Sequence, residues 1–204
     1  MIIREGRIED AEFLATVVTE AIGRELCTGL AGSETRLPLV TELFKRLAAE
    51  RESQYSYTNA LISTEDKGNY AGGIIAYDGA RLHGLRRAFA REANKVLGWN
   101  VSEEETENWD DEAEADEIYI DSLYVTPEFR KQGVASALLK GVEKRFGDIG
   151  KPLGLLVEPE NLTALRTYIH WGFREVGISN FFRIPMLHMQ KQPSGADSTS
   201  FHKI

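Results

Sequence analysis

The stretch from Glu117 to Phe146 constrains the fold of this chain more than any other. Glu117-Ile118-Tyr119-Ile120-Asp121-Ser122-Leu123-Tyr124-Val125 is rich in β-branched and aromatic residues and predicts a strand. Pro127 turns the chain. A helix then runs from about Gly133 to Phe146, with Val134, Leu138, Leu139, Val142 and Phe146 on its apolar face. At the junction stands Arg130-Lys131-Gln132-Gly133-Val134-Ala135, two cations and a glycine opening a helix of small residues. A helix start offers unpaired N–H groups and about half a positive charge, which suit an anion, and the helix dipole disfavours cations there. Gly133 and Ala135 leave room for a ligand to approach the backbone. A polyphosphate between the cations and the helix would resolve the conflict, and an ordinary turn with solvated cations would give the same six residues.

The rest of the chain supplies alternating elements. Met1 to Arg7 predicts a short strand, and Ile8-Glu9-Asp10 starts a helix with Phe13, Leu14, Val17, Val18, Ala21 and Ile22 at helical spacing. Gly29, Gly32 and Pro38 are expected to break the chain before a second helix, Val40 to Glu50. Tyr55 to Thr64 and Tyr70 to Tyr77 predict two strands around a Glu65–Asn69 hairpin loop, and Leu82 to Leu97 is again helical. Beyond the junction helix, Leu153 to Val157 predicts a strand and Leu162 to Trp171 a helix, with final strands near Arg174 to Ile178 and Ile184 to Gln190. The order βααββ, an additional helix, then βαβαββ indicates one α/β or α+β domain with a mixed sheet. The domain is expected to span 1–190, with an insertion at about 80–116, and the tail 191–204 to be disordered.

Charge separates one segment from the body. The formal charge is −8, but residues 103–117 hold ten of the 32 carboxylates and no Lys or Arg, so 22 acids face 24 bases elsewhere. A broad nucleic-acid surface is not indicated. With little apolar content beyond Trp109, the acidic run is expected to be solvated and to contribute little to folding; attracting a cationic acceptor is its other reading. No apolar run approaches the roughly 18 residues of a membrane span, and MIIREGRIEDAEF lacks a signal peptide's apolar stretch. The single cysteine, Cys27, forms no internal disulfide and is expected to be a small buried residue, which suits a cytoplasmic location.

Two spaced motifs give a resemblance. Val125-x-Pro127-x-x-Arg130-x-x-Gly133-x-Ala135 is similar to the acetyl-CoA pyrophosphate loop of the GNAT N-acetyltransferases. Asn161-x-x-Ala164-x-x-x-Tyr168-x-x-x-Gly172-Phe173, one helix and one strand later, resembles that family's asparagine, helix tyrosine and closing Gly-Phe. The resemblance implies a single domain with a mixed, mostly antiparallel sheet flanked by helices, carrying a helical and acidic insertion before its fourth strand. It implies acetyl-CoA as co-substrate and an N-acetyltransferase acting on a primary amine by direct transfer in a ternary complex; no Cys/His cluster suggests a metal. The acceptor would be a small molecule or peptide, and the protein a monomer or homodimer. A non-catalytic acyl-CoA-binding module is the alternative.

Site residues follow from the same match. The diphosphate would lie on the backbone of Lys131, Gln132, Gly133, Val134, Ala135 and Ser136 beside Arg130. Pantetheine would pair with Leu123, Tyr124 and Val125, with Asn161 and Tyr168 completing the cofactor site. Tyr168 is the implied general acid, and Ala164 leaves room on its helical face for the thiol. Glu117, Tyr119 and Asp121 alternate onto one strand face, and Asp121, nearest the cofactor segment, is the first choice of base, with Glu158 in reserve. His170 and Trp171 are expected to be packing or surface residues, and His83 and His188 have no partner at a metal-ligand spacing. The acceptor would enter over Arg24 to Arg36 and Asn180 to Phe182, with Arg24, Glu25 and Glu34 as candidate contacts.

Overall fold

A computed structural model describes residues 1–181 and 184–193. Seven strands form one sheet in the order β1-β2-β3-β4-β5-β7-β6. They are β1 Ile2–Glu5, β2 Ala60–Thr64, β3 Tyr70–Asp78, β4 Ile118–Val125, β5 Leu153–Val157, β6 Arg174–Phe181 and β7 Ile184–Lys191. Neighbours pair antiparallel except β4 and β5, which are parallel. The helices are α1 Ala11–Ala31, α2 Leu37–Ala49, α3 Leu82–Leu97, α4 Val134–Phe146 and α5 Leu162–His170.

The sheet separates two apolar layers. On one face α1, α2 and α3 pack Leu14, Val18, Leu43, Phe44 and Phe89 against Ile62 and Ile75. On the other, Leu138, Leu139 and Val142 of α4 meet Ile74, Ile118, Ile120, Leu155 and Phe173. The apolar spacing seen in sequence thus becomes the buried stripe of each helix. Cys27 is buried in the first layer. Among the described residues no helix is long and apolar enough to cross a membrane.

Three local expectations are corrected. The break in the first helix falls at Gly23 (φ 78°), while Gly29 stays helical and Gly32, also left-handed, ends the helix. Pro38 lies in the first turn of α2, where its missing N–H costs no hydrogen bond. Tyr55–Asn59 is not strand. Ser56 accepts from the Thr58 N–H, and the Asn59 amide donates to the carbonyls of Ser53 and Gln54, so local side-chain bonds displace the ladder.

The acidic run departs from expectation in part: most of its carboxylates are exposed, but the segment is anchored to the body at several points. Thr106, Glu112, Ala113 and Glu117 are buried. The Arg86 guanidinium of α3 ties the segment down, donating to the carbonyls of Thr106, Trp109 and Asp110 and pairing with Glu112 and Asp111. The tail from residue 194, expected to be disordered, and Phe182 of the expected acceptor region lie outside the described residues.

Candidate active site

The centre of the sheet is shaped by an irregularity in β4. Ile75 of β3 pairs with Ser122 but Ala76 pairs with Ile120, so Asp121 is an extra residue in the ladder. The consequence is a change of parity. Ile118 and Ile120 face the α4 layer before it, and Leu123 and Val125 face the same layer after it. Tyr119 and Tyr124 point to the helix α1–α3 side. A strict period of two does not survive Asp121, and the bulge is what aims its carboxyl.

Asp121 is half-buried and accepts a 2.7 Å hydrogen bond from the Ser122 hydroxyl. Burial, and then the nearby Glu112 carboxylate, raise its pKa to about 7, while the Ser122 bond works the other way. Three tyrosines surround it. Tyr55, Tyr77 and Tyr119 are buried, and burial first, with the Asp121 and Glu112 carboxylates behind it, pushes all three hydroxyls well above their usual range. They therefore stay protonated donors. Glu112, buried beside Arg86 and Gln54, is itself raised by burial against the opposing pull of Arg86. Sequence reasoning missed Gln54, Tyr55, Tyr77, Arg86 and Glu112, which come from a loop, β3, α3 and the acidic run; a carboxylate beside an alanine in that run was the available signal.

Glu117 shares the Asp121 side of the sheet but not its environment. Its carboxylate lies over Gly154, where a Cβ would sit 1.8 Å from Oε2, and bonds to His188 Nε2 (2.8 Å), Gln190 Nε2 (2.9 Å) and the Glu114 N–H (3.0 Å). Those bonds leave it a structural anchor, and its hydrogen bond raises the His188 pKa. Glu158 and His170 are exposed.

Beside Asp121 the sheet opens. β4 and β5 pair only at Ile118–Leu153 and Tyr119–Gly154, so the later residues of β4, Leu123, Tyr124 and Val125 among them, have no ladder partner from β5. The opening leads to the start of α4. Gly133 there has φ 81° with nothing within 4 Å of where its Cβ would be, and Lys131 is also left-handed at φ 59°. No side chain caps α4, so the N–H groups of Val134, Ala135 and Ser136 keep no capping partner. Arg130 is exposed, donates from Nε to the Val125 carbonyl and lies 5.9 Å from the Tyr124 ring. Gln132 turns back to the Glu128 carbonyl. Across the opening, Asn161 caps α5 by accepting from the Ala164 N–H at 3.1 Å, which leaves its amide N–H₂ for another partner. Tyr168 is half-buried edge-on to Trp171 and Phe173, its hydroxyl pKa is raised by burial, and that hydroxyl makes no hydrogen bond within the described residues.

The sequence pattern of the Acetyltransferase (GNAT) family matches residues 41–173, about two thirds of the chain. The chain belongs to the GNAT acetyltransferases. Acetyl transfer is thus its general activity. Solved structures carry the likeness along nearly the whole chain. An acetyltransferase crystal structure is 24% identical at a TM-score of 0.70, over 95% of this chain and 100% of that one. An N-acetyltransferase from Staphylococcus aureus Mu50 is 20% identical at 0.70, over 93% and 100%. The PaiA N-acetyltransferase from Thermoplasma acidophilum, solved in complex with coenzyme A, is 18% identical at 0.57, over 94% and 98%. At these identities the likeness is one of fold. No curated protein matches the sequence. GNAT enzymes use acetyl-CoA, and the residues here fit such a group: the uncapped α4 start suits its diphosphate, and the open β4 edge suits its amides. No cluster of metal-ligating side chains occurs among the described residues.

Proposed function

We propose that this GNAT protein moves the acetyl group of acetyl-CoA to a primary amine by direct transfer within a ternary complex. The observation that carries the reading is Asp121, held on a bulge beside the open end of the β4–β5 pair with its pKa near neutrality. A base works best when its pKa is close to the operating pH, because it is then both deprotonated and basic enough to accept a proton.

Bound acetyl-CoA supplies an activated acyl carbonyl and a thiolate leaving group. The α4 start, from Lys131 to Ser136, holds the diphosphate, with Arg130 beside it. Leu123, Tyr124 and Val125 hold the pantetheine arm through their backbone, and a β4 N–H near Leu123 or Tyr124 meets charge developing on the acyl oxygen. Asp121 takes the proton that an ammonium must lose before its lone pair can attack. Tyr168, kept protonated by burial, gives its phenolic proton to the departing sulfur. Asn161 fixes the start of α5 and hence the position of Tyr168.

Two measurements test the reading together. Calorimetry should detect acetyl-CoA binding, and thiol release from acetyl-CoA should rise when an amine panel is added. Binding without any turnover would favour the non-catalytic acyl-CoA-binding module, and hydrolysis without amine dependence would point to thioester hydrolysis; either overturns the proposal.

A further inference from the structure

The segment between α3 and β4 borders an open cavity of about 460 Å³, within the size range of small-molecule sites. Its wall is aromatic, formed by Tyr55, Phe89, Trp99, Trp109 and Phe181, with Glu112 among them. The rings are braced edge to face, Phe89 standing 5.9 Å from Trp99 and 6.0 Å from Trp109. Both tryptophans remain half-buried, so indole surface is left to the cavity. Among the described residues in the wall the one cation is Arg86, and its guanidinium is already engaged by Glu112 and three backbone carbonyls. Among the described residues, a ligand carboxylate would therefore find Glu112 and Asp110 and no uncommitted cation. Aromatic faces with carboxylates suit the opposite ligand, a cation on an apolar body.

Asp121 is not itself in the wall, and its link to the cavity runs through Tyr55. Tyr55 lines the cavity, and the Tyr55 hydroxyl feels the Asp121 carboxylate more strongly than that of Glu112. Of the region expected from sequence to receive the acceptor, Phe181 lines this cavity, whereas Arg24 and Glu34 are exposed and paired with each other at 3.1 Å. We infer that the cavity is the acceptor site, and that it takes a small primary amine on an apolar, ring-sized body with no carboxylate next to the amine. The inference rests on the proposed amine acetylation.

The test measures binding apart from turnover. Titration calorimetry and tryptophan fluorescence are run with 2-phenylethylamine, and in parallel with 2-phenylethanol, phenylalanine and spermidine. The first should quench the indoles, bind at least about tenfold more tightly than the others, and be acetylated when acetyl-CoA is present. Val101 also lines the cavity, and both its backbone groups are held by the Asn94 side chain (2.7 and 3.1 Å), so Val101→Phe fills the space without releasing the segment. This variant should weaken 2-phenylethylamine at least about tenfold and leave acetyl-CoA affinity and melting temperature unchanged. Trp99→Leu, which removes a ring instead, should weaken it similarly. Tighter binding of spermidine or phenylalanine, or two folded variants with unaltered amine affinity, overturns the assignment. Failure of acetyl-CoA itself to bind would instead strike the acetyl-transfer reading, and the amine titrations would still decide the cavity's ligand.

Discussion

Replacing Asp121 by Asn should make the protein more stable and less active, in a pH-dependent way. The carboxyl is raised from its ordinary 3.8 to about 7, so folding opposes ionisation by about three pH units. At about 1.4 kcal/mol per unit the ceiling is about 4 kcal/mol, and because the side chain is half-buried, solvent screening reduces the expected cost to about 2 kcal/mol. The sign follows from where the proton sits. Below about pH 4 the carboxyl is neutral both folded and unfolded, and the wild type has no handicap. As pH rises toward 7 the unfolded chain ionises first, so native stability is lost progressively, and above 7 the loss is complete. Asn mimics the neutral form at every pH and can still accept from the Ser122 hydroxyl. Thermal melts should therefore coincide near pH 4 and diverge by about 4–8 °C near pH 8, with the variant higher. In the same pH range kcat/KM should fall about 10²- to 10⁴-fold, and the limb that rises through pH 7 in the wild type should vanish. The groups facing this carboxyl, Glu112 and the hydroxyls of Tyr55, Tyr77 and Tyr119, are present in both proteins and do not create the difference. Equal melts near pH 8 would refute the buried charge, and an unchanged limb would refute the base.

Gly133→Glu should abolish measurable acetyl-CoA binding by calorimetry, since a carboxylate would project from the uncapped α4 start; the left-handed φ of 81° adds a modest loss in melting temperature. Tyr168→Phe keeps the edge-on packing with Trp171 and Phe173, so kcat should drop about 10²- to 10⁴-fold with acetyl-CoA affinity and fold retained. A wild-type rate in that variant would make water the proton donor. Glu112→Ala removes the buried one of the two carboxylates paired with the buried Arg86 guanidinium, Asp111 remaining, and should cost up to about 3–5 kcal/mol, read by chemical denaturation. Excision of 103–114 should be at least as damaging.

Legibility in the sequence followed the range of the interactions. Leu82–Leu97 and Leu153–Val157 were readable to the residue, because each is a local apolar period with a break at its ends. The α4 start was readable too, as its chemistry lies within a few consecutive residues, whereas the capping role of Asn161 was not read. Asp121 was readable as a candidate base, but the rise of its pKa was not. Its pKa depends on Glu112, nine residues earlier in the chain, and on burial beneath tyrosines from three separate segments. The acidic run shows the limit most clearly. Ten carboxylates in fifteen residues suggest a solvated strip. Glu112 and Glu117 nonetheless go inward, because Arg86 of α3 and His188 of β7 await them from 26 and 71 residues away. Composition averages over such a segment, whereas folding selects the two members that have partners. The same long-range pairing fastens the segment over the aromatic cavity, so the residues that looked least structural form part of the wall against which an acceptor would be read.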